Sequence, residues 1–249
     1  AFGRLVHRGD GVTLSAQEPF VDWGWVGDHL EEIRANTLEH LRLTVIAVAV
    51  GFAIAMALAM VAVRWRWTFA PLTWMAGVIY SIPSLALFVM LVPIFGLGST
   101  ITAEVALVGY TLLILLRNIV AGIDGVPDSV RDAADGMGFT RWRRLVEVDL
   151  RLATPAIIAG LRIATVTTVG LVTVTALIGL GGLGSFINSG LQRQFSTEVV
   201  LGSVLSVALA IVLDVLLVLL ERALTPWLRS ERRTPEPIRD WQHVPEVVG

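Results

Sequence analysis

Five long apolar stretches, joined by short polar segments, constrain the fold of this chain more than any other feature of its sequence. They cover Leu41–Val63, Thr68–Phe95, Ile101–Ile119, Pro155–Leu180 and Glu198–Leu220. An α-helix of about 20 apolar residues is long enough to cross the hydrocarbon core of a bilayer. The sequence therefore predicts an all-α membrane protein with about five transmembrane helices.

The amino-acid composition supports this class and excludes others. Of the 249 residues, 55% are hydrophobic and 16% are charged, against roughly 25% charged residues in a soluble domain. The chain has no cysteine, which excludes disulfides and thiolate metal sites. A net charge of −2 gives no electrostatic support for binding to nucleic acid.

Arginine indicates on which side of the membrane each polar segment lies. Arg64 and Arg66 alternate with Trp65 and Trp67 directly after the first apolar stretch, as at a membrane–water boundary. The interval 128–155 holds Arg131, Arg141, Arg143, Arg144 and Arg151. Because cytoplasmic segments are enriched in positive residues, we expect this interval to be cytoplasmic. With five spans, the amino end then lies outside and the carboxyl end inside.

The polar interval 128–155 has the pattern of a helix, a glycine turn and a second helix. Apolar residues recur at helical spacing in its first part, at Val130, Ala133, Ala134 and Met137. Pro127 and Asp128 are typical of the start of a helix. Gly136 and Gly138 favour a left-handed stop, and Thr140 can cap a second helix. Taken alone, the pattern indicates a solvated connector between two spans.

The residues of this interval resemble the EAA loop of the permease subunits of ABC importers. The family pattern is E-A-A, three residues, G, nine residues and I-x-L-P. Here the chain has Asp132-Ala133-Ala134, then Gly138, then Val148-Asp149-Leu150, at the same spacing. Aspartate replaces glutamate, valine replaces isoleucine, and Arg151 stands where the family has proline.

Longer stretches are similar to one branch of these permeases. The segments RDAADGMGFTRW, ATPAIIAGLRIATV and LIGLGGLGSFI look like the permease subunits of osmoprotectant importers, which carry glycine betaine, carnitine or choline. The likeness extends from about Thr37 to Pro226. It implies the type I ABC importer permease fold. The chain would have an extracytoplasmic or interfacial segment 1–36, a transmembrane permease domain 37–226 and a cytoplasmic tail 227–249.

The resemblance also implies how the chain works with other subunits. The first helix of the interval would dock in a groove of an ATPase dimer, which binds ATP and magnesium and carries out the hydrolysis. This chain is then a non-catalytic subunit without a cofactor, and with no lysine it cannot have a Walker phosphate loop. A second copy or a related permease, and an extracytoplasmic solute-binding protein, complete the importer. The residues assigned to ATPase contact are Arg131, Asp132, Ala133, Ala134, Gly136, Met137, Gly138 and Phe139.

Two spans contain candidates for the translocation path. Proline removes a backbone donor and kinks a helix, so the Ile-Pro-Ser segment of the second span can line a cavity. The fourth span is rich in threonine. The candidates are Tyr80, Ser81, Pro83, Ser84, Thr168 and Thr173. The alternatives are a purely structural kink and hydroxyl groups that serve helix packing.

Charged residues inside the spans need partners. An isolated acid at the centre of a membrane helix costs about 2.5–3.5 kcal/mol, so Asp214 is expected to be paired, protonated or facing water. Arg162 and Arg117 are its candidate partners in a buried charge cluster. The rival hypothesis is a secondary transporter in which Asp214 is the proton or ion site.

The glycine-rich segment 179–184 follows a membrane helix rather than a strand, which excludes a dinucleotide-binding loop. We expect an external turn, and the resemblance implies that Gly181, Gly182 and Gly184 face the solute-binding protein. No metal site is expected from the four scattered histidines. The solute stays open between glycine betaine, choline, carnitine, an amino acid and ergothioneine.

Overall fold

The computed structural model describes residues 21–226, which form helices joined by short turns. Segments 1–20 and 227–249 lie outside the described residues, and with them most of the predicted leader and tail. The helices are α1 Trp23–Asp28, α2 Leu30–Arg64, α3 Phe69–Ser81, α4 Ser84–Phe95, α5 Thr100–Asp124, α6 Asp128–Gly136, α7 Arg141–Arg144, α8 Leu150–Thr175, α9 Leu183–Arg193 and α10 Ser196–Leu224.

Within this range, four helical stretches are long and apolar enough to cross a membrane. They are Leu30–Arg64, Thr100–Asp124, Arg141–Ile178 and Ser196–Leu224. A fifth crossing comes from two helical pieces, Arg66–Ser81 and Ser84–Phe95, which meet at an angle of 95°. The predicted all-α membrane fold is confirmed.

The directions of α2 and α5 show that the bent pair crosses the bundle once. Gly51 of α2 lies directly against the Thr111 side chain of α5. Farther along both helices, Arg66 pairs with Asp124, with 2.7 Å between Nη2 and Oδ1. The two helices are therefore parallel, and the chain from Arg66 to Thr100 must travel back along the bundle between them.

The second span is a broken helix, where the sequence predicted one kinked helix over 68–95. Proline disfavours a helical residue before it, and Ile82 accordingly has an extended ψ of 130°. Pro83, without an N–H, begins α4 as its N-cap. The Tyr110 hydroxyl of α5 donates a hydrogen bond to the carbonyl of Ile82, which the break leaves free. The break is therefore satisfied by a neighbouring helix, as a membrane interior requires.

Small residues bring α8 close to α5. Gly160 of α8 lies against Asn118, and a Cβ on Gly122 of α5 would stand 2.9 Å from the Cβ of Ala156. The residue numbers run in opposite directions, so α8 is antiparallel to α5. α10 in turn runs antiparallel to α8, because Gly202 contacts Leu183 while Asp214 contacts Arg162. The described chain thus starts and finishes at opposite ends of the bundle.

We call the end that holds Asp124, α6 and α7 the loop end, and the end that holds α1 and α9 the opposite end. The core is formed mainly by α2, α5 and α8 in two clusters. The cluster toward the loop end contains Ala55, Ala59, Leu115, Leu116, Ile119 and Ile157. The other contains Leu43, Ala47, Phe88, Leu107, Val172 and Ile178.

The segment before the first span is folded onto the bundle. Trp25 stacks on His29 with 4.1 Å between ring centroids and meets Phe195 edge-on at 5.5 Å. The N–H of Asp22 donates to Thr197 Oγ1 at 2.9 Å. The first long helix of the bundle begins at Leu30, before the predicted start of the permease domain at residue 37. Aromatic contacts with the distant α9–α10 turn fix this segment, which local sequence does not reveal.

Candidate coupling site and translocation path

The predicted turn after α6 is present, and Gly138 is the residue that makes it. Gly138 has φ +82°, its N–H bonds to the Asp135 carbonyl at 2.9 Å, and the N–H of Phe139 bonds to the Ala134 carbonyl at 3.1 Å. These two bonds form a Schellman motif, which satisfies carbonyls at the helix end. Gly136, also predicted as a left-handed stop, is instead the last helical residue.

Arg131 fixes α6 to the bundle. Its Nη2 donates to the Ile123 carbonyl at the end of α5 at 2.6 Å, and its Nε donates to Asp149 Oδ1 at 3.3 Å. The Asp149 side chain is 5% exposed. A buried carboxylate needs such partners, because leaving it unpaired costs free energy. Arg131 therefore connects three elements: α5, α6 and the start of the fourth span.

A second ion pair also connects α6 to the start of the fourth span. Arg144 binds Asp135 of α6, and its Nε lies 3.8 Å from Asp149 Oδ2. Thr140 caps α7 as predicted, accepting from the N–H of Arg143 at 3.3 Å. The turn is thus held on both sides of Gly138 by contacts within the chain.

The second helix of the loop does not end at Pro155, where the sequence placed the boundary of the interval. α7 continues through one π-helical turn, Leu145–Asp149, into α8 without a break. Pro155 lies inside α8. The loop is therefore α6 plus a turn, and everything from Arg141 onward belongs to the fourth span. A displacement of α6 would act directly on that span.

The predicted coupling residues divide into an exposed and an internal group. Asp132, Ala133, Gly136, Met137 and Gly138 are exposed, and Met137 has 71% of its surface accessible. Ala134 is 2% exposed and packs against its own chain, and its contact with the ATPase stays a prediction. Arg131 also points into the chain, and Phe139 lies under the Arg143 guanidinium at 4.4 Å. We call the surface of Asp132, Ala133, Gly136 and Met137 the α6 face.

The candidates for the translocation path are only partly brought together. Tyr80, Ser81, Pro83 and Ser84 surround the break of the second span, and Tyr80 meets Tyr110 edge-on at 5.9 Å. Thr168 is 1% exposed and donates to the Ala164 carbonyl of its own helix. Thr173 donates in the same way to Gly170. For these two residues the alternative, hydroxyl groups that serve helix packing, fits better, and their place on the path stays a prediction.

The three span charges do not form one buried cluster. Arg162 donates from Nε and Nη2 to the two carboxylate oxygens of Asp214, at 2.7 and 2.9 Å. Both side chains are about one-third exposed, 35% and 30%. Arg117 is exposed and takes no part in this pair. Of the two candidate partners, Arg162 pairs with Asp214; burial of the pair stays a prediction, because it concerns the chain in the membrane beside its partner subunits.

The glycine-rich segment is packed inward rather than presented to a partner. Gly182 and Gly184 are buried, and a Cβ on Gly184 would overlap the backbone of Thr173. A Cβ on Gly181 would overlap the Glu39 carboxylate. The glycines therefore allow α9 to pack closely against α2 and α8. Burial of Gly182 and Gly184 favours a packing role, and the expectation that they face the solute-binding protein stays a prediction.

His40 holds this packing in place and was not a candidate in the sequence. It is fully buried, and its Nδ1 accepts from the N–H of Leu183 at 3.2 Å. Its Nε2 therefore carries the proton and donates to the Val169 carbonyl at 3.1 Å. One side chain thus joins α2, α8 and α9. The only signal in the sequence was a polar residue at the edge of an apolar stretch.

Comparison with protein families decides the class. Residues 47–230 match the family described as binding-protein-dependent transport system inner membrane component. The chain belongs to this family. It is a multi-pass inner-membrane component of a transporter, and the predicted EAA loop lies within the matched range.

Curated relatives cover most of the chain. It is 35% identical to the osmoprotectant import permease protein OsmW of Salmonella typhimurium, over 80% of this chain and 94% of that protein. It is 34% identical to the glycine betaine/carnitine/choline transport system permease protein OpuCB of Bacillus subtilis, over 78% and 89%. The choline transport system permease protein OpuBB of the same organism is 36% identical over the same shares.

Among solved structures, the chain matches an inward-facing form of the MetNI methionine ABC transporter. The TM-score is 0.70 at 21% identity, over 80% of this chain and 98% of that chain. The predicted type I permease fold is therefore confirmed. Within residues 21–226, no group of three or more His, Asp or Glu side chains could hold a metal ion.

Proposed function

We propose that this chain is the permease subunit of an ATP-driven importer for an osmoprotectant of the betaine, carnitine or choline type. The family match and the names of the curated relatives support the class of solute. The observation that carries the mechanism is the α6 face, a small exposed surface on a helix that is fixed to the ends of two spans, α5 and the fourth span. ATP and magnesium bind to a separate ATPase subunit.

The α6 face is suited to receive force from a partner. Ala133 and Gly136 allow close approach of another backbone, Met137 offers apolar area, and Asp132 offers a charge. Arg131 of α6 binds Asp149 at the start of the fourth span, and Arg144 of that span binds Asp135 of α6. Motion of the ATPase would pass through these two ion pairs into α8. From α8 it would pass into α5 and α2, which pack tightly against α8. The spans would then rotate as rigid bodies between two states.

The sidedness follows from charge. The loop end contains Arg64, Arg66, Arg141, Arg143 and Arg144, so we place it in the cytoplasm. The amino end is then extracytoplasmic and the carboxyl end cytoplasmic. A solute-binding protein docks at the opposite end, on surfaces of α1 and α9 rather than on the buried glycines.

Five crossings are few for a complete path, so a second permease subunit, identical or related, faces this one. The path lies between the two subunits.

Reconstitution tests this function. Proteoliposomes with the permease, its ATPase and its solute-binding protein are expected to accumulate glycine betaine, carnitine or choline in their lumen. This uptake is expected only when ATP is enclosed on the same side of the membrane as the ATPase. Uptake driven by a proton or sodium gradient without ATP would establish the secondary-transporter hypothesis instead. Absence of uptake of all three solutes, with ATP hydrolysis intact, would reject the solute class.

A further inference from the structure

The Arg162–Asp214 pair lies in an unusual position for two charges. Arg162 is in the middle of α8 and Asp214 in the middle of α10, and both helices are membrane spans. The two nitrogen–oxygen contacts of 2.7 and 2.9 Å give the parallel, two-point geometry that a guanidinium makes with a carboxylate. About one-third of each side chain is nevertheless exposed.

The exposed side of the pair opens onto an open surface groove of about 490 Å³, which we call the cavity. It is lined by Ala159, Arg162, Ile163, Val166, Thr167 and Asp214. This volume is within the range of about 300–1,000 Å³ typical of small-molecule sites. A charged pair facing hydrocarbon is costly, so this side of the bundle faces water or protein rather than lipid.

The chemistry of the lining fits a small zwitterion. The arginine fork matches a carboxylate, while Asp214 matches a cation, and the charges of the pair cancel. Thr167 makes no side-chain hydrogen bond within residues 21–226 and adds a free hydroxyl. Ala159, Ile163 and Val166 offer apolar contacts for methyl or methylene groups. A net-neutral cavity with two opposite charges favours a solute that also has both.

We infer that this cavity is a solute-binding subsite within the membrane, on the translocation path. Arg162 binds the carboxylate of a zwitterionic solute and Asp214 its ammonium group, and the two side chains pair with each other when the solute is absent. This assignment rests on the proposed function, since it deepens the identity of the solute. The competing explanation is a permanent ion pair that only joins α8 to α10.

Cysteine labelling tests whether the cavity is open to water, and it leaves the pair intact. The chain has no native cysteine, so labelling of a single introduced cysteine has no background from other thiols of this chain. Thr167→Cys is expected to react with a charged, membrane-impermeant thiol reagent in the assembled complex, and glycine betaine is expected to slow the reaction several-fold during turnover. Val212→Cys is the matched control, because Val212 is exposed on α10 two residues from Asp214 and outside the cavity lining. Labelling of Thr167→Cys no faster than Val212→Cys would overturn the proposal.

A selectivity measurement tests the roles of the two charges. Choline lacks the carboxylate of glycine betaine, so Arg162→Gln is expected to lower the ratio of betaine to choline uptake by about tenfold, the loss of one charged hydrogen-bonded contact. Arg117→Gln, which removes an exposed arginine outside the cavity, is the control and keeps the ratio. If Arg162→Gln and Asp214→Asn lower uptake of both solutes by the same factor, the pair is only structural.

The two proposals fail in different ways. If the native complex shows no ATP-driven uptake of either solute, the proposed function fails. If the native complex transports glycine betaine while Thr167→Cys resists the polar reagent and the betaine-to-choline ratio is unchanged, only the subsite fails.

Discussion

At the residue scale, one buried carboxylate determines how α6 is attached to the bundle. Asp149 is 4% exposed and takes Arg131 from one side and Arg144 from the other. The sequence contained Asp149 within the family-like motif, but nothing in the local pattern indicated its partners, which are 18 and 5 residues away in the chain. Arg131 was predicted to contact the ATPase, whereas it binds its own bundle.

Replacing Arg131 with alanine is expected to lower stability and uptake together. The change leaves Asp149 with only the longer contact to Arg144, and an under-satisfied buried charge costs about 1–3 kcal/mol. Arg143→Ala is the control, since it removes only an exposed pair with Glu147, worth about 0.3–0.5 kcal/mol, and the stacking of Arg143 on Phe139. Thermal unfolding in detergent and ATP-driven uptake measure the two effects. Equal behaviour of the two variants would show that Arg131 does not fix α6.

Substitutions at Gly136 and Gly138 allow the cost of backbone strain to be measured separately from the cost of steric crowding. A Cβ would have free space at both Gly136 and Gly138, but only Gly138 has a positive φ, +82°. Gly138→Ala is therefore expected to cost about 1–2 kcal/mol at the turn and to reduce ATPase stimulation. Gly136→Ala, in a helix, is expected to leave the thermal stability of the permease unchanged or slightly raised. Equal loss of thermal stability in both variants would contradict this account of the turn.

At the element scale, the apolar pattern of α6 correctly predicted a helix but did not predict which of its residues are exposed. Val130, Ala133, Ala134 and Met137 share a stripe by spacing, yet only Ala134 is buried, and Met137 is largely exposed. The orientation of a nine-residue helix depends on its few long-range contacts, here those of Arg131 and Arg144, and periodicity does not encode them. The broken second span was likewise located by Pro83, but neither its 95° bend nor the hydrogen bond from Tyr110 of another helix to the Ile82 carbonyl could be predicted.

Adjacent alanines on α6 are expected to give different defects. Ala133→Trp enlarges the exposed α6 face and should weaken binding of the ATPase while leaving the thermal stability of the permease unchanged. Ala134→Trp enlarges a position that is 2% exposed and should lower thermal stability by overpacking, at a cost of about 1–3 kcal/mol. Co-purification of the ATPase and unfolding temperature distinguish them. If Ala133→Trp retained full binding, the α6 face would not be the docking surface.

At the scale of the whole molecule, the five crossings and the helical class could be predicted, because a bilayer demands long apolar helices. Two features of the molecule could not be predicted from the sequence. The parallel arrangement of α2 and α5 depends on contacts such as Gly51 with Thr111, and the attachment of the amino-terminal segment depends on Trp25 and Phe195. Side chains such as His40 join elements more than a hundred residues apart, and no local pattern identifies them.

The orientation in the membrane can be measured with two exposed tryptophans at the two ends of the bundle. Trp23 is 77% exposed at the opposite end, and Trp142 is 66% exposed at the loop end. In intact cells, an impermeant thiol reagent is expected to label Trp23→Cys and to spare Trp142→Cys until the membrane is opened. The reverse pattern would place the loop end outside and exclude a cytoplasmic ATPase as its partner.

A cross-link from the α6 face gives the most direct test of the proposal that motion of an ATPase is transmitted to this helix. Met137→Cys, at a site 71% exposed, would carry a short photo-reactive group in the assembled transporter. We predict that it cross-links to the nucleotide-hydrolysing subunit and that the cross-linked complex loses ATP-driven uptake. A cross-link only to lipid or to the solute-binding protein, with uptake unaffected, would contradict the account.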